Sequence, residues 1–139
     1  DGNTICEADH LFATRLWQNN SKVHFDINAR EDKKRLIYGG HIISLVRALS
    51  FNGLENAQVI VGINGGTHAN PVFAEDTIYC WSEVLDKIDL NVRNIAALRL
   101  RSVGTKEKNH NMRLKSDDGK HLPTIVLDFD YWVLVPKEL

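Results

Sequence analysis

The chain has 139 residues, 43% of them apolar and 25% charged, a balance that suits one folded domain with its own core and excludes a disordered tail. The 17 basic residues stand against 18 acidic ones for a net charge of -1, leaving no basic surplus to hold a nucleic-acid backbone. No apolar run approaches the ~20 residues of a membrane span, no basic-then-apolar leader is seen, and Cys6 and Cys80 stand outside any metal-ligand spacing, so the sequence predicts a protein of the reducing cytoplasm without structural zinc or disulfides.

Thr4 and Glu7 stand at capping-box spacing, and Ala8, Leu11, Phe12 and Leu16 follow at helical intervals. They predict an amphipathic helix from about Cys6 to Trp17, ended by the amides Gln18, Asn19 and Asn20. The turn that follows sets His24 between Val23 and Phe25, where a histidine is either half-buried structure or the working end of a site. Arg30-Glu31-Asp32-Lys33-Lys34-Arg35 mixes signs and predicts a solvated connection.

The stretch LIYGGHIISLVRALSFNG then leaves hardly any polar face, with Arg47 its only charge. It predicts a central helix over about residues 40–52, buried on most sides, opened by Gly39-Gly40 and closed by Asn52-Gly53. Beyond it the period changes to two, giving strands over 59–63, 77–84, 95–103 and 125–135. The last is clearest, with Ile125, Leu127, Phe129, Tyr131, Val133 and Val135 on one face and Asp128 and Asp130 on the other. Gly65-Gly66 and Pro71 predict a loop between the first two strands, and residues 104–123 a long exposed excursion. Few helical signals intervene, so the strands pair antiparallel. One apolar helix followed by such strands is the α+β arrangement of a hotdog fold, here a single domain over 1–139.

The start of a buried helix has unpaired N–H groups and the positive end of the helix dipole. Gly39 and Gly40 carry no side chains there, so an acyl thioester oxygen could come close and be polarised, although paired glycines also simply permit a tight turn. His24 can exchange a proton near neutrality, and the Asn19 amide can hold water or orient the histidine. Asp26 reads as a turn residue, while His68, Asn70 and Arg47 are unranked candidates for lining an acyl pocket.

QNNSKVHF, RLIYGGHIISLVRALSFNGL, HANPVFAEDTIYCWSEVL, ALRLRSV and VLDFDYWVLVP together resemble the MaoC-like hotdog family of (R)-specific enoyl-CoA hydratases. Within it they are similar to the carboxy-terminal half of the double-hotdog members acting on mesaconyl-CoA, a branched C4-dicarboxylic thioester. The resemblance extends from about Gly2 to Pro136, although the strand that usually precedes the first helix is not evident. It implies metal-free hydration or dehydration of an acyl-CoA, with no cofactor beyond the coenzyme A that enters with the substrate. It implies that His24 transfers the proton, that Asn19, where other members have a catalytic aspartate, orients the water, and that the Gly40 N–H faces the thioester oxygen. His41, with Gly39, is the candidate for binding the acyl group, His41 through its second carboxylate. Because hotdog sites form between two units, it also implies a homo-oligomer or a second hotdog half. Two alternatives stay open: an acyl-CoA thioesterase, disfavoured because the central helix has no carboxylate before Glu55, and a non-catalytic half that binds acyl-CoA or supports a partner.

Overall fold

Each run of alternating residues folds as a strand, and the glycine-headed run folds as a helix across them. The computed structural model describes residues 1–57, 59–108 and 112–137. In chain order its elements are β1 (Gly2–Thr4), α1 (Glu7–Leu16), two short 3-10 turns (Lys22–His24 and Ile27–Ala29), α2 (Gly39–Leu49), β2 (Val59–Thr67), β3 (Thr77–Val92), β4 (Ile95–Thr105) and β5 (Ile125–Pro136). The strands form one sheet in the order β1-β3-β4-β5-β2, with every pairing antiparallel.

The alternation in β5 buries Leu127, Phe129, Tyr131 and Val133, and α2 packs against the sheet through Ile42 and Val46, one turn apart. Burying each such side chain contributes about 1.5–3 kcal/mol relative to leaving it in water. Gly104 in β4 sets how closely helix and sheet approach: a Cβ there would lie 2.8 Å from Val46 Cγ2 and 3.2 Å from Val126 Cγ2. At the far end of α2, Arg47 donates to the Tyr131 hydroxyl at 2.9 Å and the Ala57 carbonyl at 2.7 Å, tying the helix to β5 and to the turn that follows it. Arg47 thus ties the helix to the sheet and is not among the residues lining the cavity described below.

Several expectations need correction. A strand does precede the first helix: β1 pairs with the start of β3, and Thr4 spends its hydroxyl on Thr77 at 2.7 Å instead of capping α1. The apolar stripe of α1 faces outward, with Phe12 68% and Leu16 63% exposed, while His10 and Thr14 turn inward. Gly65-Gly66 lies within β2, where Gly66 rests on the Phe129 ring, not in a loop. Residues Gly104 and Thr105 complete β4, Lys115 bridges to His121, and 109–111 fall outside the described residues. Only Ile42 and Val46 of α2 are fully buried, because the sheet covers one side of the helix; Phe51 just beyond it is 56% exposed. At the sheet edge, Val59, Ile60, Val61 and Ile63 are exposed, so consecutive β2 residues leave both faces of that strand uncovered.

Candidate active site

His24, Gly39 and Gly40 meet on one cavity of about 710 Å³. His68, Asn70 and the Tyr38 ring complete its polar wall, and Ile42, Ile43, Val72 and Val126 are among its apolar lining.

The first 3-10 turn carries His24. Its Nδ1 lies 2.8 Å from the Leu36 carbonyl, and the Leu36 N–H donates to the Val23 carbonyl at 2.9 Å. A carbonyl only accepts, so Nδ1 holds a hydrogen, and in the neutral ring Nε2 keeps its lone pair. That is the form in which a histidine can take a proton. The turn is tethered on its other side by His10, whose Nε2 lies 2.8 Å from the His24 carbonyl.

The helix start supplies the second component. The Tyr38 carbonyl accepts from His41 and Ile42, and the Tyr38 N–H donates to His10 Nδ1 at 3.3 Å. Among the described residues, the Gly39 and Gly40 N–H groups have no partner. They stand at the positive end of the α2 dipole, where a developing negative oxygen is favoured. Each glycine lies beneath a ring, for a Cβ on Gly39 would sit 2.5 Å from His68 Nε2 and one on Gly40 2.6 Å from Tyr38 Cε1. No other residue type fits either position without moving an aromatic wall of the cavity.

Burial holds His68 below the ordinary histidine range, so it faces the cavity as a neutral imidazole. Asn70 donates through Nδ2 to the carbonyls of Leu122 at 2.9 Å and Ile125 at 2.7 Å, fastening its loop to the start of β5. Among the described residues no carboxylate lines the cavity, and no three His, Cys, Asp or Glu side chains are grouped to hold a metal.

The other candidates lie elsewhere. Asn19 is not part of the cavity wall, and its Oδ1 accepts from the Ser21 N–H at 2.9 Å, closing the bend that leads to His24. His41 also stands off the cavity; its ring centroid is 6.4 Å from that of His10, on the side of α2 that faces α1. Asp26 caps the second 3-10 turn by accepting from Asn28 at 2.8 Å. Asp76 accepts from the Phe73 N–H at 2.8 Å and pairs with Lys106 at 2.7 Å. Arg35, expected to be solvated, instead pairs with Glu7 at 2.7 Å and donates to the Phe25 carbonyl, so the charged connection is pinned to α1 and to the histidine turn. His10 went unnoticed in the sequence; its spacing of four residues from Thr14, a polar pair on one side of a helix, was the available signal.

A sheet folded over one apolar helix, with an imidazole and the open start of that helix on one cavity, defines a hotdog domain with a candidate site at the head of its helix. No family model matches the chain. Over 99% of its length it is 58% identical to mesaconyl-CoA hydratase of Cereibacter sphaeroides and 51% identical to β-methylmalyl-CoA dehydratase of Chloroflexus aurantiacus. The chain spans 40% of each of these curated relatives. A solved structure of a MaoC domain protein dehydratase from Chloroflexus aurantiacus matches with a TM-score of 0.94 and 49% identity, covering 100% of this chain and 41% of that one. A Mycobacterium tuberculosis protein with a double hotdog fold shares the fold at a TM-score of 0.65 and 23% identity, over 96% of this chain and 36% of its own. The chain is a hotdog domain, homologous along nearly its whole length to part of those hydratases and dehydratases. No helix among the described residues is long and apolar enough to cross a membrane.

Proposed function

We propose that this chain is one hotdog unit of a hydro-lyase that adds water reversibly to mesaconyl-CoA, giving β-methylmalyl-CoA. The observation that carries the reading is that His24, whose Nδ1 is held by the Leu36 carbonyl, and two helix-start N–H groups without a partner among the described residues line one cavity. The names of relatives 58% and 51% identical supply the acyl group.

In this reading the thioester oxygen sits at the Gly39 and Gly40 N–H groups, which draw electron density away from the β-carbon. His24 Nε2 takes a proton from water as the water oxygen bonds to that carbon. The π electrons move toward the thioester oxygen, and the resulting enolate is stabilised by the two N–H groups and the helix dipole. The imidazolium, or a water it holds, then returns the proton to the α-carbon, so that H and OH have been added and the base is restored. General base catalysis of this kind contributes roughly 10²–10⁴ in rate. Asn19 holds the bend that leads to His24 and so acts on the base through that turn. The reading calls for no resident metal or cofactor, since coenzyme A arrives with the substrate.

The same reading sets the unit beside a second hotdog unit, either a copy or another half of a longer chain. Support comes from the 40% coverage of the relatives and from the exposed apolar residues at the end of α2 and along the β2 edge. Thioester hydrolysis is the weaker reading because α2 has no carboxylate along Gly39–Leu49 to activate water.

Loss of enoyl-thioester absorbance measured beside release of free thiol separates the two. The expected result is absorbance loss without thiol, slowed about 10²–10⁴-fold in His24→Ala. Thiol release, or a folded His24→Ala that hydrates at the full rate, would overturn the reading.

A further inference from the structure

Behind the site, out of reach of the cavity, lies a wholly buried imidazole whose two nitrogens are both engaged. His10 is 0% exposed; its Nε2 is 2.8 Å from the His24 carbonyl oxygen and its Nδ1 is 3.3 Å from the Tyr38 backbone nitrogen. The first partner can only accept and the second can only donate. The ring is therefore neutral, with its hydrogen on Nε2. Thr14 donates to the His10 carbonyl at 2.8 Å and lies 3.4 Å from Nδ1, which closes the ring in against α1.

We infer that His10 is a positioning residue, a neutral clamp that sets the distance between His24 and the open start of α2. Its catalytic consequence rests on the hydratase reading, but its structural consequence does not. The other hydrogen bonds from this turn to the connection before α2, His24 Nδ1 to the Leu36 carbonyl, the Leu36 N–H to the Val23 carbonyl and Arg35 Nε to the Phe25 carbonyl, end two or three residues short of Tyr38, and the Tyr38 ring meets the His24 ring only edge to face at 5.7 Å. Among the described residues, His10 alone hydrogen-bonds both the backbone of His24 and the residue immediately before Gly39. It also occupies the Tyr38 N–H, so the open donors at the helix start are confined to Gly39 and Gly40. A displacement of about 1 Å between a base and the group it serves can cost about 10²-fold in rate, so a rigid link here has a kinetic effect.

The clamp works only while the ring is neutral. His24 faces it from the turn, His41 from α2 and Glu7 from α1, and Asp9 lies near His41. Glu7 is already paired with Arg35. A proton on Nδ1 would oppose the Tyr38 N–H, donor against donor, and set a cation between two further imidazoles. Burial, the largest influence, opposes that proton.

Two variants of the full chain test the clamp. His10→Leu removes both bonds, whereas His10→Gln offers one donor and one acceptor on a group that does not titrate. Ring ¹⁵N resonances are expected to show His10 as the neutral Nε2–H form and His24 with its hydrogen fixed on Nδ1. In His10→Leu the His24 ring should lose its single tautomer, and kcat should fall at least about 10-fold with KM little changed. In His10→Gln the tautomer and most of kcat should return, with a shallower fall in activity toward acid because one ionisation is gone. A folded His10→Leu that keeps the wild-type His24 tautomer and kcat overturns the inference. If His10→Leu does not fold, a wild-type His10 that titrates like a free imidazole, or a His10→Gln acid limb as steep as wild type, overturns it instead. If the wild-type chain hydrates nothing, the hydratase reading fails, while the ¹⁵N tautomers still decide the clamp.

Discussion

Alanine at position 39 adds one methyl group where the fold is tightest around the site. Its Cβ would lie 2.5 Å from His68 Nε2, 2.8 Å from Cε1 and 3.0 Å from Cδ2. Unbonded heavy atoms rest about 3.5 Å or more apart, so ring or helix must yield by about 1 Å. Overpacking of this kind costs about 1–3 kcal/mol in a closed core. His68 borders open space, so its ring can swing into the cavity and the cost falls near the lower end, about 1 kcal/mol. Replacing glycine by alanine in a helix returns up to about 1 kcal/mol. The two nearly cancel, and Tm should move by only a few degrees, about 1 kcal/mol or less for a domain of this size. Activity has no such offset. Either the imidazole stands where the thioester oxygen must enter, or the Gly39 N–H has moved, and loss of one donor of this type costs about 10²–10³ in kcat. The assay is loss of mesaconyl-CoA absorbance alongside thermal unfolding of the same preparation. Adding His68→Ala to Gly39→Ala should recover part of the activity if the displaced ring is the obstruction. A Gly39→Ala protein that hydrates at the wild-type rate would refute both the packing argument and the role given to the helix start.

Three further expectations concern the scaffold. Gly104→Ala puts a Cβ 2.8 Å from Val46 Cγ2 and 3.3 Å from Leu127 Cβ inside the closed core, so calorimetry should show a loss of about 1–3 kcal/mol; an unchanged Tm would contradict the helix-to-sheet packing described above. Cys6 is exposed, whereas burial pushes the Cys80 thiol up to about 11, so a neutral-pH alkylating reagent should modify Cys6 and reach Cys80 only on unfolding; equal labelling would be contrary to the fold. Burial lowers the pKa of His10, His41 and His68 in the folded chain, so the unfolded chain binds more protons below the ordinary histidine value of about 6.5. Stability from this source is complete above that pH and is lost as pH falls below it; urea midpoints that stay level from pH 7 to 5 would contradict it.

Period-two alternation made β5 legible, because a strand buried on one face writes its burial into every second residue. The helix α2 was legible for a related reason, in that a run of apolar residues at helical spacing marks a helix that packs on a core. The same reasoning failed on α1, where Leu11, Phe12 and Leu16 suggest the inner face and yet the polar pair His10 and Thr14 occupies it. Their burial is stabilised by bonds to backbone groups distant in sequence, which no local pattern encodes. Gly65-Gly66 read as a loop because glycine usually breaks strands, but both residues pair with β5, and at Gly66 the missing side chain leaves room for the Phe129 ring opposite, 3.3 Å from where a Cβ would stand. For the site, the sequence marked His24 and the glycine-headed helix, and the fold brings them to one cavity. It did not reveal that Asn19 spends its amide oxygen on a local bend, that His41 points toward α1, or that His68 lies over Gly39. Those facts depend on the direction of a side chain, and spacing alone does not give it.

The most direct measurement is a crystal structure of the protein with the saturated analogue of mesaconyl-CoA, which has no double bond to hydrate. The account calls for the thioester oxygen within about 2.7–3.1 Å of the Gly39 or Gly40 nitrogen, with His24 Nε2 turned toward the β-carbon. An acyl group bound elsewhere, or a thioester oxygen held by other donors with His24 turned away, would contradict it.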